Sequence, residues 1–144
     1  MMARRAALAI DLGERRTGLA VADALRVTCE PLAAWAGDPA GAGLLDHLEK
    51  LLAERDVGTF VLGLPLHMDG SEGPRAAFTR AFAARLAQRF PAVRIVLQDE
   101  RLTTKAAEDL LREQGLTRWQ DRKRLRDSAS AAVLLGDWIA AGED

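Results

Sequence analysis

The sequence predicts an α/β fold, a mixed five-stranded sheet flanked by helices, built as one domain over residues 1–144. Three observations predict it. The chain opens on two short apolar runs joined by a polar turn, which is the pattern of a hairpin. Later apolar runs alternate with segments of helical period, and the right-handed crossovers these imply join parallel strands. Finally, 144 residues with 49% hydrophobic and 28% charged side chains suit one buried core and leave no room for a second domain.

The elements follow in order. Leu8 to Leu12 and Gly18 to Ala22 read as the first two strands, with Gly13-Glu-Arg-Arg-Thr17 as their turn. Val27 to Trp35 supplies a third strand, at an edge or ending early, because Pro31 cannot donate to a ladder. After the breaker Gly37-Asp-Pro-Ala-Gly41, Leu44, Leu45, Leu48, Leu51 and Leu52 recur at the helical period, with Asp46, Glu49, Lys50 and Glu54 on the other face. Thr59 to Leu64 reads as a buried strand, and Pro65 to Gly73 as a loop. Pro74 suits the first turn of the next helix.

In that helix Phe78, Phe82, Leu86 and Phe90 stack at four-residue intervals, a stripe expected to face the core rather than to stack on bases. Arg75, Arg80, Arg85 and Arg89 are expected on its solvated face. Pro91 ends the helix and Val93 to Leu97 forms the fifth strand. A helix capped by Thr103 or Thr104 runs to Gln114 and stops at Gly115. A last helix runs from about Asp127 to Ala141.

Charge and cysteine content exclude several function classes. Cys29 is the only cysteine, so an intrachain disulfide and a thiolate zinc cluster are both excluded; it reads as a small buried hydrophobe in a reducing compartment. Asp11 interrupts the first apolar stretch before it can act as a signal core, and no run approaches the roughly 20 apolar residues of a membrane span. A cytoplasmic protein is expected. The net charge of −1 hides one basic segment, Arg112 to Arg126, with six cationic side chains against two acidic ones. Such a patch can meet a polyanion although the body is acidic.

Three acids carry the chemical reading. An ionised Asp11 inside an apolar strand needs a compensating partner, for which a metal ion is one candidate. Asp99-Glu100 follows a strand at its carboxyl end, where open α/β sheets place their sites. Asp127 opens a helix rich in small and apolar residues, where it could equally serve as an N-cap. Taken singly, Asp11 could be a turn acid and Asp99 or Glu100 a solvated strand end.

Four blocks then carry a family resemblance: Asp11-Leu-Gly-Glu-Arg-Arg-Thr-Gly-Leu-Ala-Val-Ala22, Gly63-Leu-Pro-Leu-His-Met-Asp-Gly-Ser-Glu-Gly-Pro74, Asp99-Glu-Arg-Leu-Thr-Thr104 and Asp127-Ser-Ala-Ser-Ala-Ala132. In this order they resemble the signature blocks of the YqgF family, also called RuvX. The resemblance implies a ribonuclease H-like fold related to the junction resolvase RuvC. It also implies endonucleolytic cleavage, chiefly in maturation of pre-16S ribosomal RNA, with Holliday junction resolution as the alternative. The family's three catalytic and metal-holding acids fall on Asp11, Glu100 and Asp127. Two positions depart from the pattern: His67 replaces a common asparagine, and Arg126 replaces the apolar residue that usually precedes the last acid.

On that reading hard carboxylate oxygens suit Mg²⁺ or Mn²⁺. Two such ions about 3.5–4 Å apart can activate water and stabilise the departing oxygen of an in-line displacement. Products with 5′-phosphate and 3′-hydroxyl ends are implied. Arg118, Arg122, Lys123, Arg124 and Arg126 of a basic loop, with Arg15 and Arg16 of the hairpin turn, are the expected nucleic-acid contacts. Trp119 can stack on a base or anchor its loop, and His67 reads as a solvated loop residue before a phosphate contact.

The expected partner is precursor rRNA or branched DNA, with no membrane, and the chain acts as a monomer or homodimer. An actin-like or sugar-kinase ATPase is disfavoured because such enzymes close two related domains over the nucleotide. A non-catalytic nucleic-acid-binding assembly factor is the rival of another class.

Overall fold

The computed structural model describes residues 4–101 and 119–143, with 119–126 described by backbone alone. Five strands form one sheet: β1 (Ala6–Asp11), β2 (Arg16–Ala22), β3 (Cys29–Ala36), β4 (Val57–Leu64) and β5 (Arg94–Asp99). Three helices are described: α1 (Gly43–Glu54), α2 (Pro74–Arg89) and α3 (Trp119–Ala140). The strand order is β3-β2-β1-β4-β5. The first three strands pair antiparallel, whereas β1, β4 and β5 run parallel. This is the mixed five-stranded sheet that the sequence predicts, and β3 is an edge strand, as Pro31 requires.

Both sheet faces are covered, so the strands alternate large with small side chains instead of apolar with polar. In β1, Leu8 and Ile10 join Leu19, Val21, Phe60 and Leu62 on the face that packs against Leu44 and Leu48 of α1 and Phe82 and Leu86 of α2. Ala7 and Ala9 lie on the opposite face with Ala20, Ala22, Val61 and Val96, beneath Ala131, Ala132, Leu135 and Trp138 of α3. A floor of alanines lets α3 lie close to the strands. Its inward residues recur three and four apart, as one face of an amphipathic helix must.

Four expectations need correction. Strand β2 begins at Arg16, so Thr17 is a fully buried strand residue rather than part of the turn. Phe82, Leu86 and Phe90 are buried as the stripe predicts, but Phe78 stays 40% exposed. The last helix is already formed at Trp119, eight residues before its expected start. The segment 119–126 is therefore helical and not a basic loop, and Asp127 sits inside the helix, where it cannot be an N-cap. Strong helix formers among residues 119–126, three arginines and a lysine, extend the α3 pattern upstream. Arg118 and the helix expected from Thr103 or Thr104 to Gln114 lie outside the described residues.

Candidate active site

The carboxyl ends of β1 and β5 and the α3 helix each deliver one acid around the end of β4. Asp11 ends β1 and pairs across the hairpin with Gly18 of β2. Because paired residues of an antiparallel ladder point to the same face, the Asp11 side chain and Gly18 share the face covered by α3. A Cβ at Gly18 would collide with the main-chain carbonyl of Asp127, so glycine there is what allows α3 to cross the hairpin at that level. Where β2 meets β3, the register slips between Thr17 and Leu19. Beside this irregularity the buried Leu19 N–H donates to Ser128 Oγ at 3.1 Å. The residue after Asp127 thus locks α3 in register with β2.

Glu100 arrives from the other side. It follows β5, and its N–H lies 3.4 Å from the Leu64 carbonyl at the end of β4. A Cβ at Gly63 would meet Glu100 Oε2. The Glu100 carboxyl therefore lies across the bare backbone of β4 and reaches a hydrogen bond with Asp11. Its neighbour Asp99 behaves differently: Arg101 Nε donates to Asp99 Oδ2 at 2.8 Å, and that bond holds Asp99 below the usual carboxylate range. The structure thereby separates two adjacent acids that look alike in sequence, a solvated strand-end acid and one turned inward.

The electrostatics of the pair follow from burial. Desolvation raises Asp11 above the ordinary aspartate value, opposed in part by its hydrogen bond to Glu100 and by the Arg75 guanidinium. Desolvation, then the Asp11 charge, push Glu100 up to about 8. At neutral pH the two carboxyls thus share a proton, with Glu100 as the donor, as adjacent acids in a poorly solvated site do.

Asp127 is arranged otherwise. Its side chain is partly exposed, and Arg16 Nη1 donates to Asp127 Oδ2 at 3.0 Å. Asp11 and Glu100 are hydrogen-bonded, whereas Asp127 joins them by its backbone position and turns its carboxylate to Arg16. Among the described residues no three His, Cys, Asp or Glu side chains already stand close enough to hold one metal ion.

Of the expected nucleic-acid contacts, Arg15 is exposed on the hairpin turn and Arg16 is engaged with Asp127. Arg122, Lys123, Arg124 and Arg126 lie on the first turns of α3, directly before Asp127. His67 is exposed in the β4–α2 loop with its ring beside Gly73. One residue goes beyond the sequence reading. Arg75, expected on the solvated face of α2, has Nη2 donating to the Leu12 carbonyl at 3.0 Å and acts on both half-buried carboxyls. Its place directly after Pro74, in the first turn of α2, is the only sequence signal that sets it apart from Arg80, Arg85 and Arg89.

Comparison with known proteins agrees with this fold. A pre-16S rRNA nuclease by name from Anaeromyxobacter sp. (strain Fw109-5) is 46% identical over 132 residues, covering 92% of this chain and 94% of that protein. One of the same name from Rhodobacter capsulatus is 45% identical, covering 88% and 77%. Among solved structures, T. thermophilus RuvC in complex with a Holliday junction substrate superposes with a TM-score of 0.60 at 16% identity, covering 96% of this chain and 97% of that one. The fowlpox virus resolvase gives a TM-score of 0.56 at 11% identity, covering 95% and 99%. At such identities these two structures report a shared RuvC-like, ribonuclease H-type fold. Residues 5–141 match the family described as RuvX, Holliday junction resolvase, and the chain therefore belongs to the RuvX family.

Proposed function

We propose that this protein is a divalent-metal-dependent endonuclease of the cytoplasm that trims the ends of precursor 16S rRNA, with Asp11, Glu100 and Asp127 as its metal-holding and catalytic acids. The observation that carries the reading is the half-buried Asp11–Glu100 pair, two desolvated carboxyls that meet across the bare backbone of β4 from the ends of β1 and β5 and keep a proton at neutral pH although Arg75 lies near. A fold that needed only stability would not retain this pair, since an apolar pair of similar volume would be cheaper to bury. Hard oxygen donors suit Mg²⁺ or Mn²⁺, so the residues present fit such ions. When bound, two ions would supply an activated water and charge stabilisation for the departing oxygen.

The chain's own groups do the remainder. Glu100 gives up its proton when positive charge enters the site. Arg75, held by the Leu12 carbonyl, keeps a permanent cation beside the pair. Arg16 neutralises Asp127 in the absence of substrate and is free to exchange that partner for a phosphate oxygen. Arg15 on the hairpin turn and Arg118, Arg122, Lys123, Arg124 and Arg126 leading into Asp127 bind the phosphate backbone on either side.

The test is a cleavage assay with labelled pre-16S rRNA ends, unstructured RNA and a four-way DNA junction, each with Mg²⁺, Mn²⁺ or chelator, for wild type and Asp11→Asn. Metal-dependent cutting of the rRNA ends by wild type alone supports the proposal. Equal cutting by Asp11→Asn would sink the acid assignment, and cutting confined to the junction would move the substrate to DNA.

A further inference from the structure

At the first turn of α2, where Arg75 stands, the surface folds into a cavity of about 260 Å³. Three segments meet there: Glu14 of the β1–β2 turn, Asp38 and Pro39 of the β3–α1 loop, and Pro74, Arg75 and Phe78 of α2. The volume is below the roughly 300–1,000 Å³ of sites for drug-sized ligands and suits one flat heterocycle. Phe78 is the member of the α2 stripe that the core does not absorb: Phe82, Leu86 and Phe90 are at most 8% exposed, whereas Phe78 is 40% exposed. A half-exposed aromatic ring at the wall of a cavity offers a π-face that an occupant can stack on.

The charge on the rim narrows the occupant. Glu14 and Asp38 are exposed carboxylates, which accept hydrogen bonds only and repel phosphate. Asp38 uses Oδ1 for the Ala40 N–H, and Glu14 has Arg75 Nη1 at 3.7 Å, so both keep acceptor capacity. A nucleobase offers what this rim requires: a π-face for Phe78 and edge N–H donors for carboxylates. Guanine offers two adjacent donors on its pairing edge. Arg75 is shared between the cavity and the candidate active site: it lines the one and acts electrostatically on the acids of the other.

From this juxtaposition we propose that the cavity is a nucleobase subsite, which takes an unpaired guanine of the RNA strand near the cut and stacks it on Phe78. This rests on the nuclease reading above and adds to it a source of base preference. It also implies single-stranded substrate at that position, because a paired guanine has no free pairing edge.

Two parallel measurements test it on the full chain. Fluorescence anisotropy in chelator compares a labelled 12-nucleotide oligouridine with the same RNA carrying one central guanosine. Cleavage mapping with Mn²⁺ reads the base distribution around cuts in a random-sequence RNA. Wild type should bind the guanosine RNA about fivefold more tightly and cut with guanine enriched at one fixed position. Phe78→Ala and Phe78→Leu should both lose about tenfold in affinity, the size of one base–aromatic stack, and lose the enrichment. Glu14→Gln should keep the stack and lose the guanine preference. Thermal melts should leave each variant folded, since Phe78 is already partly exposed. If Phe78→Ala and Phe78→Leu cut and bind as wild type does, the subsite is overturned and the nuclease stands. If wild type neither binds nor cuts, both readings fall.

Discussion

Replacing Glu100 with glutamine should abolish cleavage and yet stabilise the metal-free protein at alkaline pH. Burial, then the Asp11 charge, raise the Glu100 carboxyl from an ordinary value of 4.5 to about 8. A group whose folded value lies above its unfolded one stabilises fully below the unfolded value. That contribution disappears as pH rises through the folded value. The window here runs from about pH 4.5 to about pH 8. At roughly 1.4 kcal/mol per unit, neutral pH alone would cost about 3 kcal/mol, and the partial exposure of Glu100 screens this to about 1–2 kcal/mol. For a domain of this size that is about 4–7 °C in Tm.

The assay is thermal melting in chelator from pH 5 to pH 9. Glutamine keeps the shape of glutamate and a donor for Asp11, but carries no charge to desolvate. Wild type and Glu100→Gln should melt together near pH 5 and separate above pH 7, with the variant higher. Added Mn²⁺ should raise the wild-type Tm more at pH 8 than at pH 6, because ligation must displace the shared proton, and should do little for the variant. Parallel melting curves, or a variant less stable than wild type at pH 8, would refute the account of the pair.

Three further outcomes follow from the same geometry. Gly18→Ala puts a methyl group against the Asp127 carbonyl. It should lower stability by about 1–3 kcal/mol in urea melts and reduce cleavage by displacing Asp127, which an unchanged midpoint would contradict. Ser128→Ala leaves the buried Leu19 N–H without its acceptor and should cost about 1–3 kcal/mol, read from the same melts. Arg16→Ala breaks an exposed ion pair, so stability should change by less than about 1 kcal/mol while RNA affinity falls and its salt dependence flattens in anisotropy titrations.

The sheet was legible because its strands announce themselves as short apolar runs, and because Pro31, Gly13 and Pro74 place an edge, a turn and a helix start. Alternation within those runs was harder to use. Leu8 and Ile10 against Ala7 and Ala9 read as one apolar stretch, and only the structure shows the large residues facing two helices and the small ones a single close-packed helix. The start of α3 was misplaced for a related reason. Asp127 looks like a cap because acids favour first turns, but arginine and lysine upstream propagate a helix as well as alanine does downstream. Nothing local marks the boundary.

The acids themselves could be named in sequence, but their separate states could not. Asp11 and Glu100 share a proton because β4 carries no side chain at Gly63, where the Glu100 carboxyl lies. Asp127 meets Arg16 because Gly18 lets its helix cross the hairpin at the residue next to Thr17 and two from Arg16. Both glycines are bare backbone on strands that flank β1, and each fixes where one acid stands relative to Asp11. A Gly63→Ala protein should therefore fold, because the methyl meets a carboxylate rather than a main chain, yet lose metal-dependent cleavage as Glu100 is displaced. Normal cleavage with a normal Tm would mean that the crossing over β4 is dispensable, and with it the half-buried pair on which the nuclease reading rests.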